Sequence, residues 1–152
     1  MEFYDLITNK ALVASLVAWT VAQLIKVAIE LVKNHRLDLG RLVSSGGMPS
    51  SHSSTVSSLA TTIGLTEGMG SIAFAVSVIL AGVVLYDSAG VRQSVGKQAG
   101  VLNRIIRELR ERRPIAELEA DLKELIGHTA FEVSAGVGIG IGIAFLWVFI
   151  IP

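Results

Sequence analysis

The sequence predicts an all-α, polytopic membrane helical bundle with about four transmembrane helices and a cytoplasmic amphipathic helical segment. Three observations predict it. Of the 152 residues, 51% are hydrophobic and only 17% charged, and the mean hydropathy is +0.61, high for a small soluble domain and far from the composition of a disordered chain. Several apolar stretches approach the length needed to cross a bilayer core of about 30 Å. Basic residues collect in two loops that fall on one side of those stretches. The length suits a single domain spanning residues 1–152.

The first span covers about residues 11–32 (ALVASLVAWTVAQLIKVAIELV). The second, about 49–65, is weakly apolar and rich in serine and threonine, so it is expected to be shielded by other helices rather than face lipid. The third covers about 71–90. A short turn, Thr66 to Gly70, joins it to the second as a helical hairpin. The fourth, about 129–151, is the most apolar and ends in FLWVFII. Met1 to Lys10 is acidic and does not read as a signal peptide.

Lys33, Arg36 and Arg41 lie in the first long loop. Arg92, Lys97, Arg104, Arg107, Arg110, Arg112, Arg113 and Lys123 lie in the second, the insertion 92–127, whereas the opposite side holds only Lys10. The positive-inside rule then puts both long loops in the cytoplasm and both termini outside. Within the insertion, Val101, Leu102, Ile105, Ile106 and Leu109 form an apolar stripe at helical spacing. Pro114 interrupts it, and Leu118, Leu122, Leu125 and Ile126 resume it. Such a stripe fits a basic helix lying on anionic lipid, and it equally fits a helix packed on its own protein or on a second subunit.

Thirteen basic residues balance thirteen acidic ones, so charge gives no case for nucleic-acid binding. The absence of cysteine excludes disulfides, thiolate metal sites and cysteine nucleophiles. The informative polar residues sit inside or beside the spans, where they are costly and mark function by default. Gln23, Lys26 and Glu30 share a face of the first span, and the simplest account of Lys26 is a pair with Glu30 at the cytoplasmic edge. Asp87 closes the third span and Arg92 follows. Glu132 stands four residues after His128, on the same helix face.

The run Ser44-Ser45-Gly46-Gly47-Met48-Pro49-Ser50-Ser51-His52 has the makings of an anion site. Its glycines, Gly47 among them, permit close backbone approach. Pro49 suits the first helical position, Ser50 and Ser51 add hydroxyls beside free N–H groups, and His52 falls in the first turn. A carboxylate four residues from His128 can fix its tautomer and stabilise its cation, as in a nucleophile or base dyad. Read without function, the same residues make a flexible loop and a helix-capping histidine. His52, His128, Glu132 and Asp87 are also ligand types for zinc or manganese. His35, among Lys33, Asn34 and Arg36, reads as a solvated loop residue.

Together these strings resemble the type 2 phosphatidic acid phosphatase superfamily, which also contains vanadium haloperoxidases, and within it the small divergent bacterial and plant branch. The matching strings are Gly46 to His52, Tyr86 to Arg92 (YDSAGVR), Gly96-Lys97-Gln98-Ala99, and Gly127-His128-Thr129 through Glu132-Val133. Against the wider superfamily pattern, Lys26 corresponds to the first-motif lysine, but Lys33-Asn34 stands where Arg-Pro is usual. Pro49-Ser50-Ser51-His52 replaces Pro-Ser-Gly-His. His128 with Glu132 replaces His-x3-Asp, and Arg92, separated from His128 by residues 93–127, stands for the third-motif arginine.

The resemblance implies a metal-independent, cofactor-free lipid phosphatase of a bacterial inner membrane, with its site facing the cytoplasm. His128 would form a phosphohistidine, Glu132 would support it, and His52 would act as acid and then base. Lys26, Ser50, Ser51, Arg92 and the Gly47 backbone would bind phosphate, with Asp87 supporting. The expected substrate is a lipid phosphate such as phosphatidylglycerophosphate, phosphatidate or a polyprenyl phosphate. A degenerate scaffold or lipid-binding protein and, less favoured, a metal-dependent membrane hydrolase are the competing readings. Four spans are few for this superfamily, so a homo-oligomer is expected to supply packing surface, with the glycine face Gly136, Gly138, Gly140 and Gly142 as the contact.

Overall fold

The computed structural model describes residues 3–35, 40, 42, 46–91, 98, 100–103, 105–107 and 128–150. Its elements are all helical: α1 (Phe3–Thr8), α2 (Lys10–Asn34), α3 (Ser51–Thr66), α4 (Ile72–Tyr86) and α5 (Ala130–Phe149). A π-helical turn, Asp87–Val91, continues α4, and residues 100–103 and 105–107 are also helical. The second stripe of the insertion, from Leu118 to Ile126, lies outside the described residues, as does Leu109.

Local chemistry sets the ends of each helix. The Asn9 side chain accepts from the Leu12 N–H at 3.0 Å and starts α2. His35 ends it in the left-handed region, φ 50°, exposed as expected for a loop residue. Ser71 caps α4 by accepting from the Phe74 N–H at 3.1 Å. α3 stops at Thr66, and Gly68, at φ 86°, turns the chain into the expected hairpin with α4. One expectation is corrected here. Pro49 does not occupy the first helical position. Ser50 is the cap, its Oγ accepting from the Ser53 N–H at 3.3 Å, so the helix opens at Ser51 and Pro49 lies buried ahead of the cap. A hydroxyl able to satisfy an orphan amide outcompetes a ring that satisfies none.

α3 is the central element and packs against α2, α4 and α5. Its buried residues are Ser51, Ser53, Ser54, Val56, Ser57, Ser58 and Thr62. The surfaces that meet it are small: Ala14, Ala18 and Ala22 on α2, and Gly136, Gly140 and Ala144 on α5, each set spaced by four residues along one face. Large apolar side chains point outward instead. Ile72, Val76, Ile79, Val83 and Tyr86 form an exposed stripe on α4, and Phe145, Leu146 and Phe149 are exposed on α5. A core of alanine, glycine and serine inside a shell of isoleucine, valine and phenylalanine inverts the arrangement water selects. It is the arrangement of helices that pack by close approach in lipid.

Among the described residues, three helical stretches are long and apolar enough to cross a membrane: Lys10–Asn34, Ile72–Gly90 and Ala130–Phe149. α3 has 16 residues, about 24 Å at 1.5 Å per residue, less than the roughly 30 Å of a hydrocarbon core. The expected weakness of the second span is thus a matter of length as well as polarity, and its serines are shielded as anticipated.

The glycine face of α5 divides in two. A Cβ at Gly136 would lie 2.4 Å from the Ser50 carbonyl oxygen, and one at Gly140 would lie 2.3 Å from that of Ser54. These two glycines admit the α3 backbone within the same chain. A Cβ at Gly138 or Gly142 would meet nothing within 4 Å, so of the glycine contact expected between subunits only this pair remains available. Gly140→Ala is expected to lower the unfolding midpoint in detergent, at an overpacking cost of about 1–3 kcal/mol. Gly82→Ala, on α4, where a Cβ would meet nothing within 4 Å, should not lower it. Equal midpoints for the two variants would contradict this packing.

Candidate active site

The starts of α3 and α5, the inner face of α2 and the end of α4 meet at one end of the bundle, and two backbone hydrogen bonds hold them there. The Ser50 N–H donates to the Glu132 carbonyl at 3.1 Å, and the His128 N–H donates to the Ser88 carbonyl at 3.1 Å. The first ties the Gly-Gly-Met-Pro-Ser-Ser loop to α5. The second ties the residue preceding the α5 cap to the π-helical turn after α4.

Lys26 lies inside the bundle, 4% exposed, and its Nζ donates to Ser51 Oγ at 3.3 Å. Glu30 accepts from the Asn34 side chain. Ser50 and Ser51 are both buried, and the Ser53 hydroxyl donates to Ser50 Oγ at 2.9 Å. One turn further along α3, Ser54 Oγ donates to the Ala18 carbonyl at 3.0 Å. The α2–α3 contact that carries Lys26 is therefore fixed by a hydrogen bond as well as by packing. Gly47 is exposed at φ 88°, a backbone conformation that only glycine adopts readily. His52 is half-buried in the first turn of α3.

His128 is 2% exposed. Its Nδ1 stands 3.5 Å from Glu132 Oε2, beyond a short hydrogen bond and well within the range of a direct charge interaction. The same carboxylate accepts from the Thr129 N–H at 2.7 Å, while Thr129 Oγ1 accepts from the Glu132 N–H at 3.3 Å. This reciprocal capping box starts α5. Glu132 thus fixes the helix that carries it and presents negative charge to the imidazole immediately before that helix.

The structure brings together, at this end, Lys26, Ser50, Ser51, His128 and Glu132, with His52 in the turn that Ser50 caps. Asp87 is the first residue of the π-helical turn and is half-buried. Arg92 lies outside the described residues. The alternative metal set of His52, His128, Glu132 and Asp87 does not form a cluster: among the described residues no group of three or more His, Cys, Asp or Glu is placed to hold a metal ion. Two contributors carry no role in the sequence reading. Ser88 is buried, and its carbonyl anchors His128; the hint was the small-residue run Ser88-Ala89-Gly90 directly after a span, which permits close approach. Gln23 is buried and donates from Nε2 to the Leu42 carbonyl at 2.7 Å, tying residue 42 to α2.

An inverted core, three apolar spans and a polar site at one end define a small helical membrane protein in which a buried lysine, serine and histidine meet a half-buried glutamate. The chain belongs to the Divergent PAP2 family, which it matches over residues 7–143. It is 42% identical over 141 residues to the protein of Bacillus subtilis (strain 168) called uncharacterized membrane protein YuiD, a match covering 87% of this chain and 89% of that protein. No solved structure matches it.

The double role of Glu132 can be separated by substitution. Gln at this position retains the capping-box acceptor and loses the charge. Glu132→Gln is expected to unfold within about 0.5 kcal/mol of the parent, and Glu132→Ala about 1 kcal/mol below it. Thermal unfolding in detergent checks both, and an equal loss in the two variants would show that the cap does not depend on this side chain.

Proposed function

We propose that this protein is an integral membrane lipid phosphatase acting through a phosphohistidine. The observation that carries the reading is the meeting of the buried Lys26–Ser51 contact with the His128–Glu132 pair, joined by the Ser50–Glu132 backbone hydrogen bond. A cation, a helix start rich in hydroxyls and a carboxylate-supported imidazole are the parts phosphoryl transfer requires.

In this reading the contact through Nδ1 leaves Nε2 of His128 as the nucleophile. Nε2 attacks phosphorus and the P–O bond to the lipid alcohol breaks. His52 donates a proton to the leaving alkoxide, then takes one from the water that attacks the phosphohistidine, so that inorganic phosphate leaves and both histidines return to their starting forms. Lys26, Arg92, Ser50, Ser51 and the Gly47 backbone neutralise the non-bridging oxygens. Asp87 supports the cations. Glu132 stabilises the positive imidazole ring of the intermediate.

The loop charges favour a cytoplasmic position for this end of the bundle in a bacterial inner membrane, at headgroup depth. That favours phosphatidylglycerophosphate, a lipid made on the inner leaflet, over phosphatidate and polyprenyl phosphates or diphosphates. A homo-oligomer belongs to the same reading, with Gly138 and Gly142 as the small-residue contact. A non-catalytic lipid-binding protein is the second reading, favoured by Lys33-Asn34 where the superfamily has Arg-Pro.

The test is phosphate release by purified protein from a lipid phosphate panel with chelator present. Release from one lipid is expected, reduced about 10²–10⁴-fold in His52→Ala, as for loss of a general acid, and abolished in His128→Ala. No release from any lipid by folded protein would move the assignment to the lipid-binding reading. Release that the chelator stops would replace the histidine mechanism with a metal-dependent one. A phosphate-labelled protein trapped by acid quench is expected from the parent and absent from His128→Ala.

A further inference from the structure

Residues 100–103 and 105–107 are helical, and their exposure runs opposite to a helix packed on protein by its apolar face. Val101, Leu102 and Ile105 are 60%, 48% and 47% exposed, while the polar Asn103 is 2% exposed. Val101, Leu102 and Ile105 of the apolar stripe are thus uncovered, Ile106 is half-buried, and the one buried side chain among the segment's described residues is an amide. Arg107 is exposed, and its Nε donates to the Asn103 carbonyl at 3.4 Å.

Three features of the chain say what covers that face. The segment begins nine residues beyond Val91, where the π-helical turn that continues the spanning helix α4 ends. Residues 92–99 (RQSVGKQA) are too few and too polar to recross a bilayer, which takes about 20 apolar residues, and the buried Asn103 shows one face of the segment packed on protein, so the segment stays on the side at which α4 leaves the membrane. Its surroundings are strongly cationic: residues 92–113 contain Arg92, Lys97, Arg104, Arg107, Arg110, Arg112 and Arg113 against Glu108 and Glu111. A second copy would set one cationic segment against another. An anionic lipid surface complements the charge and accepts the apolar side chains together.

We propose that residues 100–103 and 105–107 lie along the surface of an anionic bilayer, with Val101, Leu102 and Ile105 inserted at the boundary of headgroups and acyl chains and Asn103 on the side that faces protein. The segment forms a lipid-composition-sensitive collar beside the end of the bundle that carries His128. This holds whether or not the protein is a phosphatase.

The chain contains no cysteine, so a single introduced cysteine carries a single spin label in the full-length protein. Val101→Cys, Ile105→Cys and Asn103→Cys are labelled and placed in nanodiscs of phosphatidylcholine with phosphatidylglycerol, and of phosphatidylcholine alone. Collision with oxygen, which concentrates in lipid, is compared with collision with a water-soluble nickel chelate. Labels at 101 and 105 are expected to meet oxygen several-fold more often than nickel in the anionic discs, with the ratio falling in neutral discs. The label at 103 should meet both rarely. Nickel collisions exceeding oxygen collisions at 101 and 105 would overturn the proposal in favour of a solvated helix. Few collisions with either would overturn it in favour of a covering protein, and an unchanged ratio in neutral discs would overturn the anionic requirement. Positions 101 and 105 are exposed and tolerate the label, so the test stands even if the 103 variant misfolds.

Discussion

Everything in this fold depends on bringing a serine-rich helix close to its neighbours. α3 buries Ser51, Ser53, Ser54, Ser57, Ser58 and Thr62, side chains with little apolar area to offer. In lipid no hydrophobic force drives helices together, so contact must come from close packing and hydrogen bonds. Ala14, Ala18 and Ala22 on one flank and Gly136, Gly140 and Ala144 on the other make that approach possible. The Ser54–Ala18 hydrogen bond then exploits it. Larger residues at these positions would separate the helices and leave serine hydroxyls facing hydrocarbon.

The same approach assembles the site. Ser50 does three things at once: its N–H reaches the Glu132 carbonyl, its hydroxyl caps α3, and its carbonyl lies so near Gly136 that a methyl group there would overlap it. The position of the loop from Gly46 to His52 relative to the His128–Glu132 pair is therefore set by helix packing, not by the loop itself. A two-glycine loop is an entropic liability unless its far end is anchored. Here the anchor is a backbone hydrogen bond in which the partner is a carbonyl of α5's first turn.

Much of this was legible in the sequence. The bundle, the hairpin turned at Gly68, the shielding of the second helix and the His128–Glu132 pairing follow from hydropathy, turn chemistry and i,i+4 spacing. The family followed from Gly46–His52 and Gly127–Glu132 taken in order. Other features were hidden for physical reasons. The alanine stripe on α2 is masked by Leu16, Trp19 and Leu24 around it, because hydropathy counts apolar residues without distinguishing the small ones that face protein from the large ones that face lipid. The division of the four alternate glycines into an inward and an outward pair depends on the rotation of α5, which only the neighbouring helix determines. The role of Ser88 is carried by its carbonyl, a group every residue has. Asn103 stands inside an apolar stripe, where spacing alone would assign the burial to its neighbours.

The positions of the charges form one pattern once the packing is known. Lys26 and Glu132 lie near the site end of largely apolar helices, and each also serves the structure. Lys26 meets Ser51 across α2 and α3, and Glu132 closes the cap of α5. A charge in a membrane protein is costly wherever it is placed, and using it to fix a helix start offsets part of that cost. It also orients the group before any ligand arrives. Preorganised charge stabilises a transition state more effectively than charge that must first reorient. If the proposed phosphatase reading holds, the residues that hold this bundle together at one end are also the ones that would act on the phosphate, and selection for stability and for such chemistry would act on the same side chains.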